Sequence, residues 1–232
     1  MRLMNRRSFL GVSAALLTVM GASSVEGYLN TQRLYVTRLS SGIGGKAVFI
    51  VDTHLHLFED IHEKILETIA NEEPDIILLG GDLIDEYTHS ISDWKIAVLG
   101  NHEYWSGRAS EVTSLLSRHG FAVLIDSYIL TPFGRVYGVD WRGDRNYPSL
   151  AAEDIVLSHD PNAALSISGK CLVLSGHTHG GVVIGGLTLY SNSIYARGAY
   201  KLQGGGTLYV SRGLGQIFPI RFTSPLELLI IE

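Results

Sequence analysis

Five short apolar runs that each break off at residues able to bind metal constrain this chain more than any other feature of its sequence. Ala47–Val51 leads into Asp52-Thr53-His54, Ile76–Leu79 into Gly80-Gly81-Asp82, and Ile96–Leu99 into Gly100-Asn101-His102-Glu103. Further on, Ile155–Ser158 leads into His159, and Leu172–Ser175 into Gly176-His177-Thr178-His179. Apolar, partly β-branched runs this short predict strands buried in a sheet. Glycines ahead of Asp82 let the backbone turn tightly and leave the carboxylate at a strand tip. In an extended segment, residues i and i+2 point to the same side. Asp52 and His54 are therefore expected to reach one ion together, and His177 and His179 to share a side as well.

Between these strands the periodicity changes. Glu59–Asn71 places Ile61, Ile65, Leu66 and Ile69 on one helical face, and Ala109–His119 does the same with Val112, Leu115 and Leu116 before Gly120. Leu34–Leu39 reads as an edge strand, and Phe121–Ile125, Tyr128–Thr131 and Arg135–Val139 are expected to pair locally across short turns. Val182–Leu189, Tyr195–Leu202, Thr207–Ser211 and Leu226–Ile231 read as late β segments, with Gly204-Gly205-Gly206 as a hairpin turn. Helices and parallel strands early, with a hairpin-rich sheet late, predict an α/β sandwich. At 232 residues with 46% hydrophobic content, the chain is long enough for one well-buried domain.

That domain is expected to span residues 34–232, after a leader over residues 1–33. Arg2, Arg6 and Arg7 precede the apolar run Ser8–Met20, and Gly21-Ala22-Ser23-Ser24 supplies small residues suited to cleavage. Asn5-Arg6-Arg7-Ser8-Phe9-Leu10 resembles a twin-arginine signal. The resemblance implies the twin-arginine export machinery as a partner and an extracytoplasmic, envelope or membrane-anchored location. The run falls short of the roughly 20 residues of a confident spanning helix, so membrane association would be peripheral or through an uncleaved signal.

Charge narrows the choice of partner. The formal net charge is -5, but basic residues concentrate in residues 1–46, leaving 12 basic against 22 acidic residues from 47 onward. So acidic a body is unsuited to nucleic acid, which is held by Lys and Arg neutralising phosphates, and suited to cations. Cys171, the only cysteine, lies beside Leu172, Val173 and Leu174 and is expected to pack as a small hydrophobe.

Gathered from the strand tips, the inventory is Asp52, His54, Asp82, Asn101, His102, His159, His177 and His179. Nitrogen and oxygen donors without a thiolate favour Zn, Mn or Fe, and the number of donors suits two such ions. A carboxylate such as Asp82 can bridge a metal pair.

The order Asp52-x-His54, Gly81-Asp82, Gly100-Asn101-His102-Glu103, His159 and Gly176-His177-Thr178-His179 resembles the calcineurin-like metallophosphoesterase superfamily. Ser158-His159-Asp160-Pro161, Gly176–Gly181 and Tyr209–Gly215 resemble its branch of exported or membrane-associated phosphodiesterases related to hydrolases of UDP-diacylglucosamine. The resemblance implies a four-layer α-β-β-α sandwich of two mixed sheets flanked by helices. It also implies one divalent metal on Asp52, His54 and His179, a second on Asn101, His159 and His177, and Asp82 between them. His102 is then the residue that is not a ligand, stabilising the transition state or protonating the leaving oxygen while a hydroxide bridging the metals attacks phosphorus. Glu103 is expected to orient its neighbours. The implied substrate is a small-molecule or lipid-linked phosphodiester or pyrophosphate.

This sequence departs from the branch at Val51, at His56 and in a shortened segment between Asp82 and Asn101, and it has no insertion long enough to form a lipid-enclosing cap. Tyr104, Trp105, Trp141 and Arg142 follow strand ends and are candidates to line the cleft, Arg142 against a phosphate. Two other readings compete. Asp52-Thr53-His54-Leu55-His56 also resembles the opening of metal-dependent amidohydrolases, which need a barrel of eight strand and helix pairs. The same sandwich also occurs as a non-catalytic interaction module.

Overall fold

The computed structural model describes residues 6–54, 60–83, 94–152, 154–215 and 221–232, and in it the apolar runs lie side by side in two six-stranded sheets. The first sheet runs in the order β1 (Leu34–Leu39), β16 (Leu226–Ile231), β2 (Ala47–Ile50), β3 (Ile76–Leu79), β4 (Trp94–Ala97) and β5 (Ala122–Val123). β2 to β5 are parallel neighbours, and β16 is antiparallel to β2. The second sheet runs β14 (Gly198–Lys201), β15 (Thr207–Val210), β11 (Leu172–Ser175), β9 (Ile155–Ser158), β7 (Gly134–Val139) and β6 (Ser127–Thr131). Its four inner strands are parallel and its two edges antiparallel.

Alternating side chains explain why these strands are apolar on both faces. Phe49, Val51, Ile76, Leu78, Ile96 and Val98 of the first sheet face Val136, Ile155, Leu157, Leu172 and Leu174 of the second in one core between the sheets. The opposite faces are also covered: Ile61, Ile65 and Ile69 of α2 (Asp60–Glu72) pack on Val48, Leu228 and Ile230. Leu116 of α4 (Ala109–Arg118) packs on Ile77, Leu79, Ala97 and Leu99. With full burial of each such side chain worth about 1.5–3 kcal/mol, these layers dominate the folding energy. Over the second sheet the outer layer is a 3-10 helix, Pro161–Ser166, with Tyr147, Ala163 and Ala164 against Val156, Val173 and Leu208. The two-residue strands β8 (Leu150–Ala151) and β10 (Ile167–Ser168) pair beside it.

The sandwich holds, with corrections in its parts. β5 does not pair with its sequence neighbour β6. Leu124 N donates to Ala97 O, so β5 closes the first sheet while β6 begins the second. The stretch Val182–Leu189 is not one strand but a hairpin of β12 (Val182–Ile184) and β13 (Leu187–Tyr190), broken at the positive-φ pair Gly185 and Gly186. The late chain is also less dominated by hairpins than its turns imply, since β9, β11 and β15 join by parallel pairing. Two open sheets are not the closed barrel that an amidohydrolase reading of Asp52, His54 and His56 requires, and His56 lies outside the described residues. Most of the segment between Asp82 and Asn101 lies outside them too.

α1 (Arg6–Asn30) continues through the small residues Gly21–Ser24 and ends against the domain. Asn30 Nδ2 donates to Arg221 O (3.0 Å), and Arg221 N donates to Gly27 O (2.9 Å). Among the described residues, no helix is long and apolar enough to cross a membrane.

Candidate metal centre

The ends of β2, β3 and β4 meet the ends of β9 and β11 at one edge of the sandwich. Tight backbone turns make this meeting possible. A Cβ on Gly100 would stand 2.2 Å from Asp82 Oδ1, so only glycine lets the loop after β4 pass the Asp82 carboxylate. Asp52, His54, Asp82, His177 and His179 have φ of 52°, 43°, 53°, 71° and 49°. The extended geometry expected of Asp52-x-His54 and His177-x-His179 is therefore wrong: all four residues are left-handed. Such backbone costs on the order of 1 kcal/mol or more per non-glycine residue and persists where the surroundings over-determine it. The two sheets are tied together here, because His177 N donates to Asp52 Oδ2 (2.8 Å).

Gly100-Asn101-His102-Glu103 opens a helical turn, α3 (Asn101–Trp105), with Gly100 as its N-cap. Glu103, fully buried, accepts from Gly100 N (2.7 Å), Leu83 N (2.8 Å) and Asp82 N (3.1 Å). One carboxylate thus fixes the tips of β3 and β4 together. His102 N donates to Asp82 Oδ1 (2.9 Å), which orients the carboxylate from the other side.

All eight candidate residues converge. Asp52, His54 and His179 bring one ligand atom each to within 4.8 Å of one another, as do Asp82, His159 and His177. His54, Asp82 and His102 form a third such group between them. Asp82 Oδ2 lies 3.2 Å from His159 Nε2 and 3.7 Å from His54 Nε2, so this carboxylate stands at the junction of the two outer groups. Asn101 Oδ1 is 2.9 Å and His177 Nδ1 3.2 Å from His159 Nε2. The carbonyls of Gly80 (2.9 Å) and Gly215 (3.3 Å) face Nδ1 of His159 and His179. They favour the tautomers that leave each Nε2 lone pair aimed inward.

Burial and mutual charges set the electrostatics of this cluster. Burial pushes the Asp52 carboxyl up to about 7. Burial also acts against the charge of Asp82, but the facing His159 overrides it and holds Asp82 below the usual carboxylate range. For His159 burial is likewise outweighed, by Asp82 and then Asp52, and its value rises to about 10. Burial, then the His159 charge, lowers His177 to about 4. Burial, then Arg221 and His54, depresses His179 well below its ordinary value. Nitrogen and oxygen donors in this arrangement fit divalent cations, whose charge would offset that of the buried carboxylates.

Arg221 was not legible as part of this site. Its buried guanidinium donates to the carbonyls of Gly215, Arg212, Ser224 and His179, tying the loop that carries His179 to the loop after β15. A lone arginine between Ile220 and Phe222 has no local signature of that role. Arg142, expected against a phosphate, instead pairs with Asp126 (2.7 Å). His119 is exposed on the surface beyond α4.

The calcineurin-like phosphoesterase family matches this chain over residues 45–181. An uncharacterized metallophosphoesterase of Campylobacter jejuni is 33% identical over 219 residues, covering 81% of this chain and 58% of that protein. The uncharacterized metallophosphoesterase YkuE of Bacillus subtilis is 28% identical, covering 99% of this chain and 98% of its own length. The phosphodiesterase YaeI of Escherichia coli is 26% identical, covering 81% of each chain. The chain therefore spans less than two thirds of the Campylobacter protein and nearly all of the Bacillus one.

Proposed function

Because the chain belongs to the calcineurin-like phosphoesterase family, we propose that it hydrolyses phosphodiester or pyrophosphate bonds with two divalent transition metal ions, Mn, Zn or Fe. The observation that carries this reading is the junction at Asp82, where one carboxylate adjoins both three-residue donor groups. Asp52, His54 and His179 would hold one ion, and Asn101, His159 and His177 the other, with Asp82 shared. When bound, such ions supply an activated water and neutralise the charge of the phosphate.

The protein's own groups do the rest. Glu103 holds Asp82 and Gly100 in register, so the shared carboxylate cannot drift from either group. His102 projects beside His54, ring centroids 4.7 Å apart, and is only partly buried, so it can meet the leaving oxygen and donate a proton from its ring. A diester preference draws support from the phosphodiesterase among the similar proteins. The resemblance of Asn5–Leu10 to a twin-arginine signal supports a substrate outside the cytoplasmic membrane, small or lipid-linked. An assay of purified protein with an aryl phosphodiester, an aryl monoester and a nucleotide-sugar lipid tests the reading. Diester turnover that depends on added metal is expected, and cleavage of the monoester alone would overturn the diesterase assignment.

A further inference from the structure

His102 and Trp105 lie three residues apart on α3 and so share one side of that turn, with ring centroids 5.5 Å apart. Trp105 meets Trp141 edge to face at 5.6 Å and 89°, and Trp141 stacks on Tyr104 at 5.9 Å and 26°. Since His102 also meets His54, a continuous row of rings leads outward from the buried donors. Its outer end is fixed by polar contacts. The Tyr104 hydroxyl donates to Asp140 Oδ1 (2.5 Å), Asp140 N donates to Asp126 Oδ1 (3.1 Å), and Arg142 pairs with Asp126. Both sequence neighbours of Trp141 are therefore tethered, and its indole is held in place.

Trp105 is 66% exposed. A single exposed apolar side chain is ordinary on a protein surface. An indole whose row of contacts begins at the candidate proton donor is a different matter. The two indoles stand at a right angle and form a corner. A flat ring can stack on one of them and turn its edge to the other, the arrangement aromatic pairs prefer. A flexible acyl chain gains most from enclosure on several sides, which a corner does not give.

We infer that Trp105, braced by Trp141, is a stacking subsite for a planar aromatic ring carried on the leaving side of the substrate. The inference rests on the phosphoesterase reading, because His102 defines the leaving side. Substrates with an aromatic or heteroaromatic leaving group would then be favoured over those with a small alkyl group by the stacking contact alone.

Calorimetric titration of the Mn-loaded protein with phenylphosphonate, cyclohexylphosphonate and methylphosphonate tests this without turnover. Wild type is expected to bind the phenyl compound about tenfold more tightly than the methyl one, the scale of one ring stacked on an aromatic side chain. It should also bind it more tightly than the cyclohexyl compound, which matches it in size but is not flat. Trp105→Ala should lose that advantage while binding methylphosphonate as before, and Trp105→Phe should restore most of it. Undiminished phenylphosphonate binding by Trp105→Ala, or equal losses for all three compounds, would overturn the subsite. If the metal-loaded wild type binds none of them, the subsite fails, while the phosphoesterase reading stands or falls on turnover of the aryl phosphodiester.

Discussion

The Nε2 atoms of His54 and His179 stand 3.1 Å apart although the residues are separated by 125 positions. They belong to different sheets' loops, and each reaches this point through a left-handed backbone. Two imidazole nitrogens converging with the Asp52 carboxylate is the geometry of ligands around a common cation.

Removing one of these ligands should therefore cost one ion and not two. His179→Ala is expected to bind about one metal per chain where wild type binds about two. Asp82→Ala, which removes the shared carboxylate, should lose most of both. Elemental analysis after gel filtration checks the pattern, and equal losses in the two variants would contradict it.

Glu103 serves three backbone N–H groups at once, which is more than an amide can do. Glu103→Gln keeps the shape but turns half the acceptor into a donor facing other donors. It should destabilise the fold by about 2–3 kcal/mol, read from urea unfolding of the metal-free protein.

Away from the metal centre, Glu227 should be one source of acid sensitivity. This buried carboxylate accepts from Thr37 Oγ1 (2.6 Å), Tyr209 OH (2.8 Å), Arg212 N (2.9 Å) and Arg212 Nη2 (3.0 Å). Burial opposes its charge, but Arg212 and Thr37 outweigh burial and lower its pKa below the ordinary glutamate value. A depressed carboxyl contributes stability that is fully present above its unfolded-state pKa and is lost as pH falls through the folded value. The Glu227 contribution to the unfolding free energy should thus be level above about pH 5 and fall below about pH 4.5. Glu227→Gln should be about 3 kcal/mol less stable at neutral pH, with a shallower acid limb. An unchanged limb would remove Glu227 from the explanation.

Much of this architecture can be read from particular residues. Ile76–Leu79 and Ile155–Leu157 are apolar throughout because both faces of their strands are covered, and that pattern is local. Gly81-Asp82 and Gly100-Asn101 announce strand tips because glycine is required where the two loops pass. What escapes the sequence is whatever depends on pairing between distant segments. Ala122–Val123 joins the first sheet through Ala97, and nothing within the strand itself says so. The turned backbone at Asp52 follows from the His177 N–H that it accepts from the other sheet. Arg221 is placed by carbonyls of two distant segments, the loop bearing His179 and the loop after β15.

That bracing role makes its own prediction. Arg221→Lys keeps the charge but not the fork that reaches four carbonyls, so the loop bearing His179 should loosen. Metal affinity is expected to fall about tenfold or more, with secondary structure by circular dichroism unchanged. Wild-type affinity in this variant would show that the guanidinium only fills space.

The most direct test of the account is the turnover of an aryl phosphodiester by His102→Ala and wild type at equal, measured metal occupancy. Because His102 lies close enough to His54 and Asp82 to be a ligand itself, metal content and rate must be read together. The account predicts that His102→Ala keeps about two metals per chain while turnover falls about 100-fold or more, the loss of a proton donor. Unchanged turnover, or a loss of rate that simply follows a loss of metal, would contradict it.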